Sequence, residues 1–126
     1  MDVLEWYQRK GNLDISRFTG KYAKDGVIWY METYDMDESR IRRMFEGMSK
    51  DGWFEGASGF VFGRPLFYKG EDYQKVVCDS LRKYDVPKVF GADVGHKGPR
   101  MTFINGAKAS FKIEGKGATL AYDLSG

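Results

Sequence analysis

The sequence predicts an α/β fold: a mixed sheet served by two helices, with antiparallel hairpins toward the C-terminus. Three observations predict it. Short apolar runs fall at residues 27–31, 59–63 and 86–90, the last interrupted only by Lys88, as in strands covered on both faces. Two stretches with helical spacing separate these runs. Beyond residue 100 the pattern changes to alternation interrupted by turn residues. Strand, helix, strand, helix, strand and then hairpins is the order of a mixed α/β domain with an antiparallel annex. A length of 126 residues suits a single domain, 1–126.

The elements follow in order. Residues 1–10 hold Val3, Leu4, Trp6 and Tyr7 in a short cluster, read as the stub of a linker helix that continued upstream. Residues 11–26 are rich in Gly, Asp, Asn, Lys and Ser and read as loop. Val27, Ile28, Trp29, Tyr30 and Met31 form the first strand, expected to be central, and Glu32 ends it. Asp35 and Asp37 offer capping oxygens to a helix that places Ile41, Met44, Phe45 and Met48 on one face. Gly52 is its expected stop, and Trp53 and Phe54 pack the turn. Gly59-Phe60-Val61-Phe62-Gly63 is the second strand, and Arg64-Pro65 stops it, because proline cannot donate to a ladder. A second helix is expected over 71–84, with Tyr73, Val76, Val77 and Leu81 on one face. The third strand ends at Phe90, before a glycine-rich loop. Residues 101–104, 107–113 and 118–122 are expected as short strands, with turns at Asn105-Gly106 and Gly115-Lys116-Gly117.

Composition excludes several classes of function. Twenty basic and 18 acidic residues leave a formal net charge of +2, which argues against a nucleic-acid partner. No apolar stretch approaches the roughly 20 residues of a membrane span, and the N-terminus lacks the pattern of a signal peptide. The single cysteine, Cys78, cannot form an internal disulfide, so a cytoplasmic setting is expected, and its place in a helix suggests partial burial. Arg40, Arg42, Arg43 and Lys50 form a basic patch near Trp53 and Phe54, but Glu38, Glu46 and Asp51 balance it as an ordinary solvated helix face.

The candidate site residues are Glu32 and His96. His96 is the only histidine, and it sits in a loop flanked by Gly91, Gly95 and Gly98. Imidazole is the side chain whose unperturbed pKa lies nearest neutrality. Glu32 abuts five apolar residues, where an unpartnered charge is costly. Two readings of Glu32 are open: a solvated or helix-capping carboxylate, or the acid that orients an imidazole. His96 is likewise open between a structural residue and a base. One histidine and one distant cysteine do not make a zinc site, and Asp93 with His96 lacks a third ligand, so no metal and no cofactor are expected. None of the seven serines lies in the G-x-S-x-G turn that lifts a nucleophile above a sheet, although Ser58 comes nearest.

Four motifs in order resemble the C-terminal domain of the LD-carboxypeptidase family of serine peptidases, which includes the microcin C self-immunity peptidases. They are Val27-Ile28-Trp29-Tyr30-Met31-Glu32; the segment from Ile41-Arg42-Arg43-Met44 to Lys50-Asp51-Gly52-Trp53-Phe54; Gly59-Phe60-Val61-Phe62-Gly63-Arg64-Pro65; and Val86-Pro87 with Asp93-Val94-Gly95-His96. The resemblance covers nearly the whole chain and implies a swivelling β/β/α-type domain. It implies that Glu32 and His96 are two members of a Ser-His-Glu triad, and that an N-terminal domain, absent from these 126 residues, carries the serine. The chain is thus expected to be an excised half, with residues 1–26 as linker stub and loop, inactive alone. The implied substrate of the whole peptidase is a murein tetrapeptide cut at an L,D bond, with a peptidyl-nucleotide as the alternative. A non-enzymatic interaction module is the other alternative. A domain face left open, with Trp6, Tyr7, Trp29 or Phe67 on it, would favour a homodimer.

Overall fold

The computed structural model describes residues 10–11, 14–22, 24–70 and 72–125. The expected helical stub at the extreme N-terminus lies outside the described residues, apart from Lys10. The elements are α1 Ile15–Tyr22, β1 Val27–Met31, α2 Glu38–Lys50, β2 Ala57–Gly63, α3 Tyr73–Ser80, β3 Lys88–Ala92, β4 Lys108–Glu114 and β5 Gly117–Asp123. The first three strands form one parallel sheet in the order β1-β2-β3, and β4 and β5 form a separate antiparallel hairpin. The fold is therefore α/β, with three helices among the described residues rather than two, a purely parallel sheet rather than a mixed one, and a single hairpin.

Several elements differ from their sequence expectations. The segment read as loop over 11–26 contains α1. Ile15 and Thr19 are buried one turn apart, and the Phe18 and Tyr22 rings pack together at a tilt with centroids 5.0 Å apart. Phe18 also meets Trp29 at 6.3 Å, so tertiary packing supports this short helix despite Gly20. β2, not β1, is the central strand; an apolar run shows that a strand is covered but not which neighbours it has. α3 starts at Tyr73, capped by the Asp72 side chain, and ends before Leu81, shorter than expected. Residues 101–104 form no strand: Phe103 instead packs at a tilt on Tyr30 with ring centroids 4.7 Å apart, and the Met101 N–H donates to Asp93 O. Cys78 is exposed on α3 rather than partly buried. Trp29 is half-buried against Trp53 and Phe54 rather than displayed on an open face.

Side chains alternate across a strand, and this divides the sheet into two different faces. Trp29, Met31, Phe60, Phe62 and Phe90 turn toward α2 and α3, which lie against one another. There they meet Ile41, Phe45, Met48, Val76, Val77 and Leu81. Phe54, just past α2, is the hub. Its ring meets Phe60 at 5.2 Å, Tyr84 at 5.6 Å and Trp29 at 5.8 Å, all three edge-on. α2 itself starts where Asp37 accepts the Arg40 N–H at 2.8 Å and stops where Gly52 takes a φ of +79°. Ile28, Tyr30 and Val61 point the other way, toward Phe103 and the hairpin.

Candidate functional site

All three strands are parallel, so their C-terminal ends share one edge of the sheet, the place where α/β folds display reactive groups. Glu32 directly follows β1. Gly63 and Arg64 close β2. Asp93 to Arg100 follow β3.

The two residues singled out in the sequence meet there. His96 Nδ1 lies 2.9 Å from Glu32 Oε2 across 64 positions of sequence. The Glu32 side chain is 8% exposed, and that of His96 is 64% exposed. The carboxylate is thus set into the sheet edge while the imidazole projects from it. The second carboxylate oxygen, Oε1, accepts the Tyr34 N–H at 3.0 Å. Glu32 therefore does not cap the next helix; Asp37 does. A carboxylate only accepts, so with Glu32 ionised this hydrogen bond is made by a proton on Nδ1.

Local backbone geometry permits the contact. Gly95 has a φ of +102°, and a β-carbon there would stand 2.3 Å from Glu32 Cγ. Gly63 lies under the same loop, where a β-carbon would stand 2.2 Å from Val94 O. The β2–β3 register slips between Phe62 and Gly63, so Gly91 is passed over and Ala92 faces Gly63.

Two further residues belong to the site although neither was singled out in the sequence as a site residue. Tyr34 adopts a φ of 50°, a left-handed conformation that costs a non-glycine residue about 1–2 kcal/mol. Its N–H holds Glu32, its carbonyl accepts the N–H groups of Leu66 and Phe67, and its ring lies 4.5 Å from the His96 ring. Arg64 Nη2 reaches Asp93 Oδ1 at 2.6 Å and Pro99 O at 2.7 Å, on either side of His96. Arg64 was marked only as a strand stop and as a member of the third motif of the family resemblance, and Tyr34 had no mark. Beneath Glu32, the buried Thr33 hydroxyl donates to Tyr73 Oη at 3.4 Å. Burial, and secondarily the nearby Glu32 charge, raise the Tyr73 phenol above its ordinary range, so it stays protonated beside the carboxylate.

The serines and the thiol lie elsewhere. Ser16 is on α1, Ser39 and Ser49 on α2, and Ser80 and Cys78 on α3. Ser58 begins β2, about 16 Å by strand rise from the end that carries Gly63. Ser110 is in the hairpin, whose Ala109 and Phe111 line a cavity with Val27 and Ile28, at the starting ends of the strands. Ser125 bonds to Asp123. The arrangement pairs an imidazole with a carboxylate, and among the described residues no serine or cysteine stands beside that pair. Among the described residues there is no cluster of three His, Cys, Asp or Glu able to hold a metal ion, and no helix is long and apolar enough to cross a membrane.

Comparison with known proteins agrees with this architecture. The muramoyltetrapeptide carboxypeptidase from Oxalobacter formigenes superposes over 77% of this chain with a TM-score of 0.69 at 20% identity. The microcin C7 self-immunity protein MccF, in its complex with glutamyl sulfamoyl guanosine, superposes over 59% with a TM-score of 0.53 at 18% identity. The matched part is 35% of the first protein and 23% of the second, so this chain spans about a third or less of the length of either. No curated protein sequence matches the chain significantly. The family model for the LD-carboxypeptidase C-terminal domain matches residues 11–111, and the chain belongs to that family.

Proposed function

We propose that this chain supplies the general base and its orienting carboxylate to a serine carboxypeptidase that cuts an L,D-peptide bond. The observation that carries the reading is the 2.9 Å contact between Glu32 Oε2 and His96 Nδ1 at the C-terminal edge of the sheet. In this reading the nucleophilic serine comes from a polypeptide segment outside these 126 residues. Nε2 of His96 accepts the serine proton as the oxygen attacks the scissile carbonyl. The same nitrogen then gives that proton to the departing amine, and water releases the acyl group by the reverse sequence. Glu32 stays ionised, keeps Nδ1 protonated and stabilises the imidazolium as it forms. The exposure of His96 suits this role, because its base must be reached from outside the domain. The murein tetrapeptide, losing its terminal D-alanine, is the substrate that fits the family to which the chain belongs.

The test mixes or fuses this chain with the serine-bearing domain of an LD-carboxypeptidase and measures release of D-alanine from the tetrapeptide. The chain alone should release none. The complemented enzyme should be active, and His96→Ala should lower kcat by about 10³-fold or more, with Glu32→Gln close behind. Full activity of the complemented His96→Ala variant, or turnover by the chain alone, overturns the reading.

A further inference from the structure

We propose that Arg64 is a positioning residue, a latch that closes the loop carrying His96 and so keeps Nδ1 on Glu32. The inference rests on the dyad reading above and deepens it.

The loop needs a latch. It runs from Asp93 to Pro99 with Gly95 and Gly98 inside it, and His96 stands three residues from each end. Glycines give the backbone the freedom to bring Gly95 against Glu32, and the same freedom lets the loop drift away. The His96 side chain is mostly exposed, so burial does not hold it. One guanidinium nitrogen spans the loop: Arg64 Nη2 bonds Asp93 Oδ1 at 2.6 Å, Pro99 O at 2.7 Å and Lys97 O at 3.4 Å. Those three acceptors bracket His96.

Arg64 is itself well fixed. It follows Gly63, the central strand's last residue, whose missing side chain lets Val94 O come close. It precedes Pro65, which restricts its backbone. Its side chain is 29% exposed and its Nε is shut away from solvent with no acceptor, a cost that a freely solvated surface charge avoids. A lone exposed ion pair contributes little to stability. The value of this one lies in geometry: a charge-assisted donor is directional, and here it ties both ends of a glycine-containing loop to the end of the central strand.

The chain offers a clean readout, because His96 is its only histidine. In 15N-labelled protein at a pH where the ring is neutral, the two ring nitrogens report which one holds the proton. The chain as it stands should show the Nδ1–H tautomer, and Glu32→Gln should lose it. Arg64→Ala should move the larger part of the population to the Nε2–H form that an unanchored imidazole prefers in water. Arg64→Lys keeps a charge but not the planar fork, and should retain more Nδ1–H than Arg64→Ala. Melting temperature, and amide signals away from residues 93–101, should stay unchanged in the lysine variant, which separates positioning from general folding. If Arg64→Ala does not fold, Arg64→Lys and Asp93→Asn carry the test, each expected to lose part of the Nδ1–H signal. Should the Arg64 variants keep the full signal while Glu32→Gln abolishes it, the latch is wrong and the dyad stands. Absence of the Nδ1–H tautomer from the unsubstituted chain removes the dyad reading itself, and the latch with it.

Discussion

On the helix side of the parallel sheet, Ile41, Phe45, Phe62, Val76, Val77 and Leu81 are each 0% exposed. On the hairpin side the same sheet presents Ile28 and Tyr30, only half-buried, to a cavity of about 310 Å³. The hairpin that roofs this cavity is itself thinly covered, with Ile113 50% exposed and no fully buried residue in either strand. The two sides share one set of strands, so the difference lies in what each was given as a partner. Two helices with continuous apolar faces seal the first. A two-stranded ribbon with one half-covered face leaves the second open, as an isolated hairpin must. The contrast bears on function because Glu32, Arg64 and the His96 loop leave the ends of the sealed strands. Their placement depends on the packed side and should be largely indifferent to the open one.

The largest expected effect tests that dependence directly. Phe45→Ala removes a fully buried ring that meets Phe62 edge-on at 5.9 Å, and it should destabilise the domain by about 3–5 kcal/mol. Phe111→Ala on the open side borders a cavity already present and should cost no more than about 1.5 kcal/mol, because a half-exposed ring loses less burial. Urea unfolding of both variants measures the difference. Equal losses would mean that the hairpin is as integral to the core as α2.

The same contrast explains what the sequence made legible. Covered parallel strands carry apolar runs, so β1 and β2 stood out and β3 was found with its end placed at Phe90 rather than Ala92, and the face of α2 was readable from Ile41, Met44, Phe45 and Met48. Strands running in parallel bring their C-terminal ends together, and that is why two residues placed after separate runs, Glu32 and His96, could be expected at one edge. α1 was obscured by its polar composition and Gly20, even though Ile15, Phe18, Thr19 and Tyr22 keep helical spacing. Residues 101–104 alternate like a strand but have no partner strand, and Phe103 fills the space over Tyr30 instead. Tyr34 and Arg64 were not legible as site residues. Their roles come from a left-handed φ and from a reach of about 30 residues across the fold, and no local pattern encodes either.

A middle-sized effect should appear where the sealed strands meet the loop. Gly95→Ala places a methyl group in the space of Glu32 Cγ and asks alanine to adopt a φ of +102°. The strain should cost about 1–3 kcal/mol of stability, well short of Phe45→Ala. Its effect on the site should exceed its effect on the fold, because relief comes most readily by moving the loop off the carboxylate. The sole imidazole should then lose its Nδ1–H tautomer while the melt shifts only modestly. A variant that keeps both signals unchanged would show that Glu32 can rotate aside without releasing His96.

The smallest effect concerns pH and belongs to the sealed side. Asp37 caps α2, the helix that covers that face, and its carboxyl lies below the ordinary range. The main cause is the hydrogen bond from the Arg40 N–H, followed by that from the Ser39 hydroxyl. A carboxyl whose folded pKa is depressed binds its proton more readily in the unfolded chain. Its contribution to stability is therefore present above the unfolded value, about pH 4, and is lost as the pH falls through the lower folded value. Asp37→Asn keeps a capping oxygen but cannot titrate, since asparagine caps a helix about as well as aspartate. The variant should melt within a few degrees of the parent at neutral pH, and its melting temperature should fall less steeply below about pH 4. Parallel curves for the two proteins down to the acid limit would show that the capping carboxylate adds nothing to α2 beyond what its neutral isostere supplies. The acid sensitivity of the sealed face would then have to come from other carboxylates.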